Sequence, residues 1–587
     1  MMTYDDLVRN LEELTENAAH HQLQTLHSIL QHQASVSYLQ PYLSACDGVV
    51  DAATFRSRVP LSSYDDYFHL INQLANGDID HHQPLLSADP LLCFFYSSGT
   101  STMKPKLIPY FDSALSRAAS YNGHQGSAAI FRKLVPPRPE VNKVLWFLYA
   151  DEVTTTRGGF KVMAASTYPL QGNKSRSNWS QTISCISPRE VVFGTNIEHQ
   201  MYCHLLCALR NFDIIDGIRA AYAAGLIRAF SMLESKWEKL CDDLESGFPS
   251  LETADAAMKE SVVEFLGGPQ VDLSRRIREI CAESNWGGIL SKLWPNVRYV
   301  KAVTTGSMKQ YYPKLKHYAG DVMILGGDYF ASECCLGINL DIQQPPESTR
   351  FVMLPTAAYF EFLPLDLNER GVAGEETVDF SGVKVGKMYE VAVTTYRGLY
   401  RYRLGDIVSV VGFHNSSPLV EFVMRAPKTA DEIITEKDLT SAVDSFQHST
   451  AAEVVEFASF SDYELSPKQV KVFIEFREGC VFLQEEKLQE SAEALRSCCS
   501  SLENGMGEIY KVQRDRGEVG PLVVSFVRSG TFDGILHLAI KNGAPASQYK
   551  PPKIIRSPEI VGFMEESAVM IRVYGSNHIM GNIGDNI

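Results

Sequence analysis

The sequence lacks any apolar run of the roughly 18–20 residues that a membrane-spanning helix needs, and it is poor in positive charge. Its 587 residues contain 54 Lys and Arg against 70 Asp and Glu, a formal net charge of −16. Such an excess of acid repels phosphate backbones and anionic lipid surfaces, because nonspecific nucleic-acid binding depends on neutralisation by Lys and Arg. We therefore expect neither nucleic acid nor a membrane as a partner.

Cysteine motifs are also absent. The 12 cysteines are scattered and form no CxxC pair, which excludes zinc-ribbon and thioredoxin-type sites. Reduced, buried thiols are the ordinary state of such cysteines in a reducing compartment. The N-terminal segment carries several acids and no apolar core, so we expect no signal peptide and a cytoplasmic location.

Several common catalytic motifs are missing. Lys104, not glycine, stands five positions after Gly99, so there is no Walker A loop, and no GxGxxG follows a predicted strand. GxSxG and HExxH are absent as well. Two adjacent histidine pairs lie in polar surroundings typical of surface residues, and His204 lies on an apolar segment that favours a core histidine. The sequence predicts no metal site built from protein ligands alone.

The composition is that of a globular protein, with 45% hydrophobic and 21% charged residues. Leucines at helical spacing, among them Leu7, Leu11 and Leu23, predict helices in the first 30 residues. Short apolar runs at residues 91–96, 144–149, 297–303 and 322–325 predict buried strands, with helices between them at 201–209 and 219–240. Strands that alternate with helices predict an α/β fold.

A domain boundary is predicted near Arg425. The stretch before it, residues 389–423, is rich in β-forming residues. After it, residues 453–460, 470–476 and 522–527 predict strands and 485–502 a helix, which together make a self-contained α/β pattern of ordinary domain size. We predict an N-terminal domain over residues 1–425 and a small C-terminal domain over 426–587.

Three stretches carry the residue types that chemistry needs. In the first, the strand predicted at 91–96 leads into hydroxyls, a glycine and then lysines: Ser97, Ser98, Gly99, Thr100, Ser101, Lys104 and Lys106. Glycine lets backbone amides approach an anion, hydroxyls donate to phosphate oxygens, and lysine neutralises charge. The pattern is typical of a phosphate-binding loop and equally of a Ser/Thr-rich surface turn.

The second stretch follows the strand predicted at 322–325 and comprises Gly326, Gly327, Asp328, Tyr329, Phe330, Ala331, Ser332 and Glu333. Loops at the carboxyl ends of strands are where α/β sheets usually bind ligands. The aromatic rings can stack on a base, and Glu333 can hold Mg²⁺ through a carboxylate oxygen. A Gly-rich turn that ends in a solvated acid fits the same residues.

The third stretch spans residues 396–406, where Arg and Tyr alternate before Gly405 and Asp406. An aspartate at a strand end can accept hydrogen bonds from two adjacent ribose hydroxyls. The alternation also fits a half-exposed strand, so this stretch alone leaves both interpretations open.

In order and spacing, the three stretches resemble the adenylate-forming superfamily of firefly luciferase and acyl-CoA synthetases. A closer resemblance is to the plant auxin-inducible acyl acid–amido synthetases (the Gretchen Hagen family), nearest to the jasmonate-amido synthetase group. The matching segments are residues 97–106, 329–333 and 400–406, together with 199–204, 305–308, 312–315 and 548–550. The resemblance therefore covers nearly the whole chain.

This resemblance implies a large N-terminal adenylate-forming domain of β-sheets and flanking helices, and a small, mobile C-terminal α/β domain that closes over the active site. It implies a monomeric ligase that uses ATP and Mg²⁺ to activate a hormone-type carboxylic acid (jasmonate, auxin or benzoate class) as acyl-AMP and conjugates it to an amino acid. Such an enzyme serves plant hormone homeostasis. Two alternatives stay open: an acyl-CoA ligase, and a non-catalytic hormone-binding member of the same fold.

The resemblance also implies residue roles. The catalytic candidates are Lys550, which would reach the phosphates from the small domain, and Glu333, which would hold Mg²⁺. The expected ATP-binding residues are Ser97, Ser98, Gly99, Thr100, Ser101, Lys106, Tyr329, Phe330, Ala331, Ser332, Glu333, Asp406, Arg425 and Lys550. The acyl or amino acid pocket is expected at Ser120, Thr167, Gly327 and Cys335. Met103 departs from the family, which has glycine there, and Phe330 and Ala331 replace a small residue and a serine.

Overall fold

The computed structural model describes residues 3–44, 50–78, 83–97, 105–171, 183–251, 255–283, 285–365, 376–426, 432–450, 453–477, 499–573 and 579–580. Within these ranges the chain forms helices and four β-sheets. The α/β fold class is confirmed.

The helices are α1 (Tyr4–Glu16), α2 (Ala18–His32), α3 (Gln40–Leu43), α4 (Ala52–Arg58), α5 (Tyr64–Asn76), α6 (Ala114–Leu134), α7 (Tyr168–Gln171), α8 (Arg189–Val192), α9 (Ile197–Arg210), α10 (Ala223–Ser246), α11 (Ala256–Leu266), α12 (Val271–Glu283), α13 (Ile289–Leu293), α14 (Tyr312–Ala319), α15 (Glu436–Thr450), α16 (Glu508–Asp515), α17 (Thr531–Lys541) and α18 (Pro558–Glu566). Short 3₁₀ helices cover Gly306–Tyr311, Pro346–Ser348 and Ala546–Gln548.

The strands are β1 (Leu91–Tyr96), β2 (Leu107–Phe111), β3 (Lys143–Trp146), β4 (Thr154–Thr155), β5 (Lys161–Ala164), β6 (Ile215–Tyr222), β7 (Tyr299–Val303), β8 (Met323–Leu325), β9 (Tyr329–Phe330), β10 (Cys335–Ile338), β11 (Phe351–Met353), β12 (Tyr359–Leu365), β13 (Met388–Thr394), β14 (Tyr402–His414), β15 (Ser417–Arg425), β16 (Val454–Asp462), β17 (Gln469–Phe476), β18 (Val523–Val527), β19 (Ile554–Ile555), β20 (Ala568–Val573) and β21 (Ile579–Met580).

Helix α1 begins where the sequence provides a cap. The Asp6 backbone N–H donates to the Thr3 hydroxyl oxygen and the Thr3 backbone N–H donates to the Asp6 carboxylate, both at 3.1 Å. This reciprocal capping box satisfies two backbone donors that have no partner inside a helix. Leu7 and Leu11 are buried on one face, so the predicted helices at the start of the chain are confirmed.

The first sheet has the strand order β2-β1-β5-β4 and places the strand that precedes the hydroxyl-rich segment. β1 pairs antiparallel with β2 and parallel with β5. Phe95 and Phe94 belong to separate core clusters on its two faces, as the alternation of side chains along a strand requires. The strand predicted at 91–96 is confirmed, and its carboxyl end leads directly into Ser97.

The second sheet is wholly parallel, in the order β3-β6-β7-β8. Helices α9 and α10 pack on it through buried residues such as Leu205 and Leu226, which fits parallel strands covered on both faces. The strands predicted at 144–149, 297–303 and 322–325 are confirmed in shorter form as β3, β7 and β8. Tyr222, Val303 and Leu325 end β6, β7 and β8 at one edge of this sheet.

Two details of the sequence interpretation are wrong. The helix predicted at 219–240 begins only at Ala223, because residues up to Tyr222 form β6 between β3 and β7. Alanine favours helix in isolation, but pairing on both sides of β6 outweighs that preference. Leu23 also leaves the predicted buried face of α2, with 53% of its surface exposed, because Leu26 and Ile29 occupy that face.

The third sheet is antiparallel and has the order β12-β13-β14-β15-β11-β10-β9. It contains two of the three chemically interesting stretches: the second ends in β9 and β10, and the third leads into β14. Asp406 in β14 lies directly opposite Arg425, the last residue of β15. The β-rich character predicted for residues 389–423 is confirmed.

The strands that follow Glu436 form a separate sheet in the order β19-β16-β17-β18-β20-β21. The strands predicted at 453–460, 470–476 and 522–527 are confirmed as β16, β17 and β18. Residues 485–498 of the predicted helix lie outside the described residues. Polar bonds join this part of the chain to the rest: the Tyr311 hydroxyl donates to Glu456, and Arg477 donates to Glu234 at 2.8 Å.

His204 is a core residue, as predicted. It is 0% exposed, and its ring is hydrogen-bonded to the Ser187 hydroxyl at 2.7 Å and to the Leu148 carbonyl at 3.1 Å. Burial lowers its pKa to about 4, so the imidazole is neutral near pH 7.

None of the helices within the described ranges combines the length and the apolar character needed to cross a membrane. The described cysteines are thiols, and all of them except the half-buried Cys334 are buried.

Candidate active site

Ser97 and Lys106 close the base of the predicted phosphate-binding loop. The Ser97 N–H donates to the Lys106 carbonyl at 2.9 Å, and the Lys106 N–H donates to the Ser97 hydroxyl oxygen at 2.9 Å. The hydroxyl proton of Ser97 is therefore left for another acceptor. The other predicted members, Ser98, Gly99, Thr100 and Ser101, lie outside the described residues, as do Met103 and Lys104.

The second stretch ends in a β-hairpin. β9 and β10 pair antiparallel with Phe330 opposite Cys335, and the Ala331 N–H donates to the Cys334 carbonyl at 3.0 Å. Ser332 and Glu333 are thereby the two residues at the tip. The glycines before the hairpin connect β8 of the parallel sheet to β9 of the antiparallel sheet, so the tip lies where the two sheets meet.

Asp406 is held from two sides. The Tyr329 hydroxyl donates to its Oδ2 at 2.8 Å, and Nη1 of Arg425 lies 2.6 Å from its Oδ1 in an ion pair. Tyr329 is itself buried against the rings of Phe351 and Phe422. Since each carboxylate oxygen has two acceptor positions, Asp406 is fixed in place with acceptor capacity to spare.

Glu333 lies among charges of both signs. Burial raises the pKa of its carboxyl above the ordinary 4.5, the Asp406 charge raises it further, and Arg425 and Lys106 oppose that rise. Burial lowers the pKa of Lys106, which the Glu333 charge partly restores. The Asp406 charge raises the pKa of Arg425. The structure thus brings Lys106, Glu333 and Asp406, one from each of the three stretches, into one charged cluster with Arg425 of the domain boundary.

The residues around Glu333 provide few ligands for a metal ion. Within the described part of the chain, no group of three or more His, Cys, Asp or Glu side chains is arranged to hold a metal. Glu333 alone supplies a hard carboxylate oxygen at the hairpin tip. Mg²⁺ is commonly bound by one or two carboxylates with substrate phosphates and water, so the site fits Mg²⁺ that binds together with a phosphate-bearing substrate.

Helix α6 and the hairpin enclose the side of the site where the acyl pocket was predicted. The His124 ring lies 5.0 Å from the Phe330 ring. A Cβ added at Gly123 would lie 2.7 Å from Sγ of Cys335, so glycine at this position lets α6 approach the buried Cys335 closely. Ser120 lies on the same helix, although its side chain is outside the described part.

Gly327 lies at the carboxyl edge of the parallel sheet. A Cβ there would lie 3.0 Å from Cγ2 of Val303, and its carbonyl accepts a hydrogen bond from the Asn339 side chain at 3.4 Å. A larger residue at this position would therefore press on the end of β7. Gly327, Cys335 and the α6 segment around Ser120 surround a common region.

Thr167 contacts Asp151, which in turn binds Ser547, a residue far away in the sequence. It is 0% exposed, and its hydroxyl oxygen accepts the Asp151 backbone N–H at 3.1 Å. The Asp151 carboxylate in turn accepts the backbone N–H of Ser547 at 3.0 Å and also its hydroxyl. A further hydrogen bond of 3.0 Å joins Ser166 to the Ser547 hydroxyl oxygen.

Lys550 lies three residues after Ser547 in the sequence. Its Nζ lies 4.4 Å from the ring centroid of Tyr222, the last residue of β6, so it stands over the carboxyl edge of the parallel sheet. Its charge also acts on Glu436, whose pKa burial raises and whose carboxylate interacts with Arg425. Lys550 is thus linked electrostatically, through Glu436, to Arg425 of the charged cluster.

Asp151 and Ser547 were not found from the sequence. They are separated by 396 positions, and neither lies in a recognisable motif. Only the fold brings them together.

Two arginines of the third stretch have structural partners. Arg401, 6% exposed, pairs with the buried Glu361 at 2.8 Å and donates to the carbonyls of Arg56 and Val59 at 2.6 Å. Arg403 donates to Glu390 at 3.0 Å through Nε. The alternating Arg–Tyr pattern thus arises from ion pairs that hold the sheet, while Asp406 at its end belongs to the site.

The four-sheet fold, with its separate C-terminal sheet, is shared with known proteins. Three domain models of one family match in sequence: the GH3 family N-terminal domain over residues 7–324, its central domain over 351–425 and its C-terminal domain over 437–559. The chain belongs to the GH3 family.

Its relatives include ligases of several carboxylic acids. A probable indole-3-acetic acid-amido synthetase of Oryza sativa is 46% identical over 67% of this chain and 82% of its own length. A jasmonoyl–L-amino acid synthetase of the same species is 34% identical over 94% of both chains. A 4-substituted benzoates–glutamate ligase of Arabidopsis thaliana is 33% identical over 96% of this chain and 97% of its own length.

The overall fold matches a solved member of the family. The GH3.15 acyl acid amido synthetase superposes with a TM-score of 0.83 at 27% sequence identity, covering 98% of both chains. A second structure of that protein, in complex with 2,4-DB, gives a TM-score of 0.82 at 28% identity. The large sheets and the C-terminal sheet thus have the same arrangement as in an acyl acid amido synthetase.

Proposed function

We propose that this chain is an ATP-dependent acid–amino acid ligase, which activates a hormone-type carboxylic acid as acyl-AMP and joins it to an amino acid through an amide bond. The observation that carries the proposal is the charged cluster of Lys106, Glu333, Asp406 and Arg425 at the meeting point of two sheets, in a GH3-family chain. A carboxylate resists attack by an amine until one of its oxygens becomes part of a good leaving group. Adenylation by ATP provides that leaving group.

ATP would bind between the predicted loop and the third sheet. Asp406, held by Tyr329 and Arg425, has acceptor capacity for the ribose hydroxyls. Ser97 and Lys106 stand at the base of the loop whose hydroxyls (Ser98, Thr100, Ser101) and Gly99 would receive the phosphates. Phe330, Ala331 and Ser332, which precede Glu333 in the hairpin, would form the rest of the proposed nucleotide-binding surface.

Mg²⁺ would be held by Glu333 together with phosphate oxygens. When bound, the ion supplies charge stabilisation as pyrophosphate departs. The Glu333 side chain orients that charge, while Lys106 and Arg425 neutralise the phosphates from the protein side.

Lys550 would neutralise the phosphates during adenylation. The subsequent attack by an amine needs the same space cleared, and a small domain that moves about the chain near Arg425 meets both needs. We accordingly retain the division into residues 1–425 and 426–587, since the strands after Glu436 form their own sheet.

The acid is proposed to come from the jasmonate, auxin or benzoate class, as in the relatives' names, with hormone homeostasis as the physiological role. Gly327, Cys335 and the α6 residue Ser120 would shape the acyl pocket. Thr167 would instead position Asp151 beneath the Lys550 segment. We propose a monomeric enzyme of the cytoplasm, a compartment in which buried thiols stay reduced.

The decisive experiment separates the proposed reaction from its two rivals. Purified protein is incubated with MgATP and each of indole-3-acetate, jasmonate and 4-hydroxybenzoate, first alone and then with a panel of amino acids or with CoA. Acid-dependent pyrophosphate release and an amide product in mass spectrometry support the ligase. A thioester formed only with CoA identifies an acyl-CoA ligase, and acid binding without pyrophosphate release identifies a non-catalytic binder.

A further inference from the structure

Arg397 lies in the loop between β13 and β14, a few residues before Asp406, and has no role in the site described so far. Its guanidinium carbon lies 4.2 Å from the ring centroid of Tyr110 in β2. Its backbone N–H donates to the Thr395 hydroxyl oxygen at 3.3 Å. The side chain thus packs against Tyr110 in β2 of the first sheet and not against its own loop.

Within the described chain, no hydrogen bond or ion pair engages the Arg397 guanidinium, and its Nε is both buried and without an acceptor. The arginines around it differ. Arg401 pairs with Glu361, Arg403 with Glu390 and Arg425 with Asp406. A buried N–H donor without a partner costs free energy, and native proteins seldom leave one unpaired.

The surroundings of Arg397 contain weak acids in place of a carboxylate counter-ion. Burial lowers the pKa of its guanidinium, and the groups that oppose this effect are the side chains of Tyr110, Cys334, Cys93 and Tyr168. Burial raises the pKa values of Cys93, Cys334 and Tyr168, so these three groups are neutral near pH 7. Among the described residues, no carboxylate therefore forms an ion pair with the Arg397 guanidinium.

The position of this charge relates it to the active site. Cys334 is adjacent to Glu333 at the hairpin tip, and His124 of α6 also experiences the Arg397 charge. On the other side, the Tyr110 and Tyr168 rings lie 5.0 Å apart. The guanidinium thus lies over the Tyr110 ring, which contacts Tyr168, and its charge acts on Cys334 and His124 beside the region assigned to the acyl pocket.

We propose that Arg397 binds the carboxylate of a substrate through its Nε–H and a terminal N–H, with the neighbouring aromatic rings against the apolar body of that molecule. Arginine is suited to this because its planar fork donates two parallel hydrogen bonds to one carboxylate. The inference deepens the proposed function, which supplies two carboxylates: that of the acyl acid and the α-carboxylate of the amino acid. No covalent step is assigned to Arg397.

The test uses binding, so that its outcome does not depend on turnover. Indole-3-acetate and benzoate are titrated into the protein by calorimetry alongside their uncharged amides, indole-3-acetamide and benzamide, and glutamate is titrated in the same way. Arg397→Met removes the charge but retains apolar contact with Tyr110, and Arg397→Lys retains the charge. Arg157→Met, which removes an exposed arginine from the turn before β5, is the matched control, and thermal unfolding checks that each variant folds.

We expect the wild type to prefer a carboxylate over its amide, and Arg397→Met to weaken carboxylate binding at least tenfold, about 1.4 kcal/mol, while amide binding changes little. Arg397→Lys should retain part of the preference, and Arg157→Met all of it. Loss confined to indole-3-acetate or benzoate assigns Arg397 to the acyl acid, and loss confined to glutamate assigns it to the amino acid.

The proposal is overturned if the wild type binds none of indole-3-acetate, benzoate and glutamate, or if Arg397→Met binds all three as the wild type does. A different result would refute the proposed function alone. In that case carboxylate binding would still depend on Arg397, but the protein would release no pyrophosphate.

Discussion

The backbone N–H of Ser547 donates a 3.0 Å hydrogen bond to Oδ1 of Asp151, and the Ser547 hydroxyl donates to the other carboxylate oxygen. The two residues are 396 positions apart, one on the N-terminal side of the structure and the other three residues before Lys550. The Asp151 backbone N–H also donates to the Thr167 hydroxyl oxygen. The contact between Asp151 and Ser547 therefore holds the segment that carries Lys550 in the position that the structure shows.

Asp151→Ala should slow adenylation by about tenfold, the loss expected when a charge-assisted pair of hydrogen bonds no longer holds the Lys550 segment. Amide formation from chemically synthesised acyl-adenylate should change little, since that step needs the segment displaced. The two half-reactions are measured separately, by pyrophosphate release and by single-turnover amide formation. Glu152→Ala removes the adjacent, exposed carboxylate and should leave both rates unchanged; a matched loss in both steps for Asp151→Ala would refute the docking role.

Lys550→Ala should slow adenylation by about 10²-fold or more, the usual scale for loss of one positioned charge donor. The second half-reaction should hardly change, because Lys550 is expected to act in only one of the two domain positions. Pyrophosphate release and single-turnover amide formation are again the two readouts. Lys541→Ala, at an exposed lysine that ends α17, is the control. Equal loss in both half-reactions would mean that Lys550 supports the fold or both states.

Glu333→Gln should abolish pyrophosphate release while leaving the thermal unfolding midpoint unchanged, because it removes a charged oxygen ligand from a hairpin tip outside the sheet pairing. The exposed Glu347 supplies the control Glu347→Gln, which should retain full activity. Wild-type-like turnover of Glu333→Gln at saturating Mg²⁺ would rule out the metal-binding role.

The Mg²⁺ dependence should also shift with pH. Burial raises the pKa of Glu333 above its ordinary 4.5, and only the ionised carboxylate holds the ion. As pH falls towards that raised pKa, protons compete and the apparent Mg²⁺ affinity weakens, at a higher pH than for a solvent-exposed glutamate. Pyrophosphate release measured against Mg²⁺ concentration over roughly pH 5.5 to 8 tests this, and an affinity independent of pH across that range would contradict it.

Arg401→Met should destabilise the fold by about 3–5 kcal/mol, because it leaves the buried Glu361 charge without its partner. The exposed pair of Arg350 and Glu421, 54% and 30% exposed, provides the comparison, and Arg350→Met should cost about 0–1 kcal/mol. Denaturant-induced unfolding followed by fluorescence measures both. Similar small losses for the two variants would show that the Arg401 pair contributes only specificity.

The sequence predicted those elements in which local pattern and tertiary context agree. The apolar run before Ser97 forms the buried strand β1, and the run at residues 322–325 forms β8 of the parallel sheet. The prediction failed where tertiary pairing outweighs propensity, as in the alanine-rich end of β6 at Tyr222. The sequence did not indicate that the Arg397 Nε would be buried without an acceptor, because residues from other segments of the chain surround it.

Contacts between distant segments could not be predicted from residue types alone. Nothing near Asp151 indicates that Ser547 will bind it, and nothing near Thr167 indicates that its hydroxyl oxygen will accept the Asp151 backbone N–H. Glu333, Asp406 and Lys106 were singled out from local motifs, and the structure brings them together, although Asp406 lies within β14 and not at the strand end expected from the sequence.

The measurement that tests the central claim most directly is pyrophosphate release from MgATP by the wild-type protein in the absence of any amino acid. The proposed mechanism predicts that at least one of indole-3-acetate, jasmonate and 4-hydroxybenzoate triggers the release, that acyl-AMP is detected by mass spectrometry, and that an added amino acid converts it to an amide and AMP. Pyrophosphate release that never depends on the acid, or that requires the amino acid from the outset without any acyl-AMP, would contradict it.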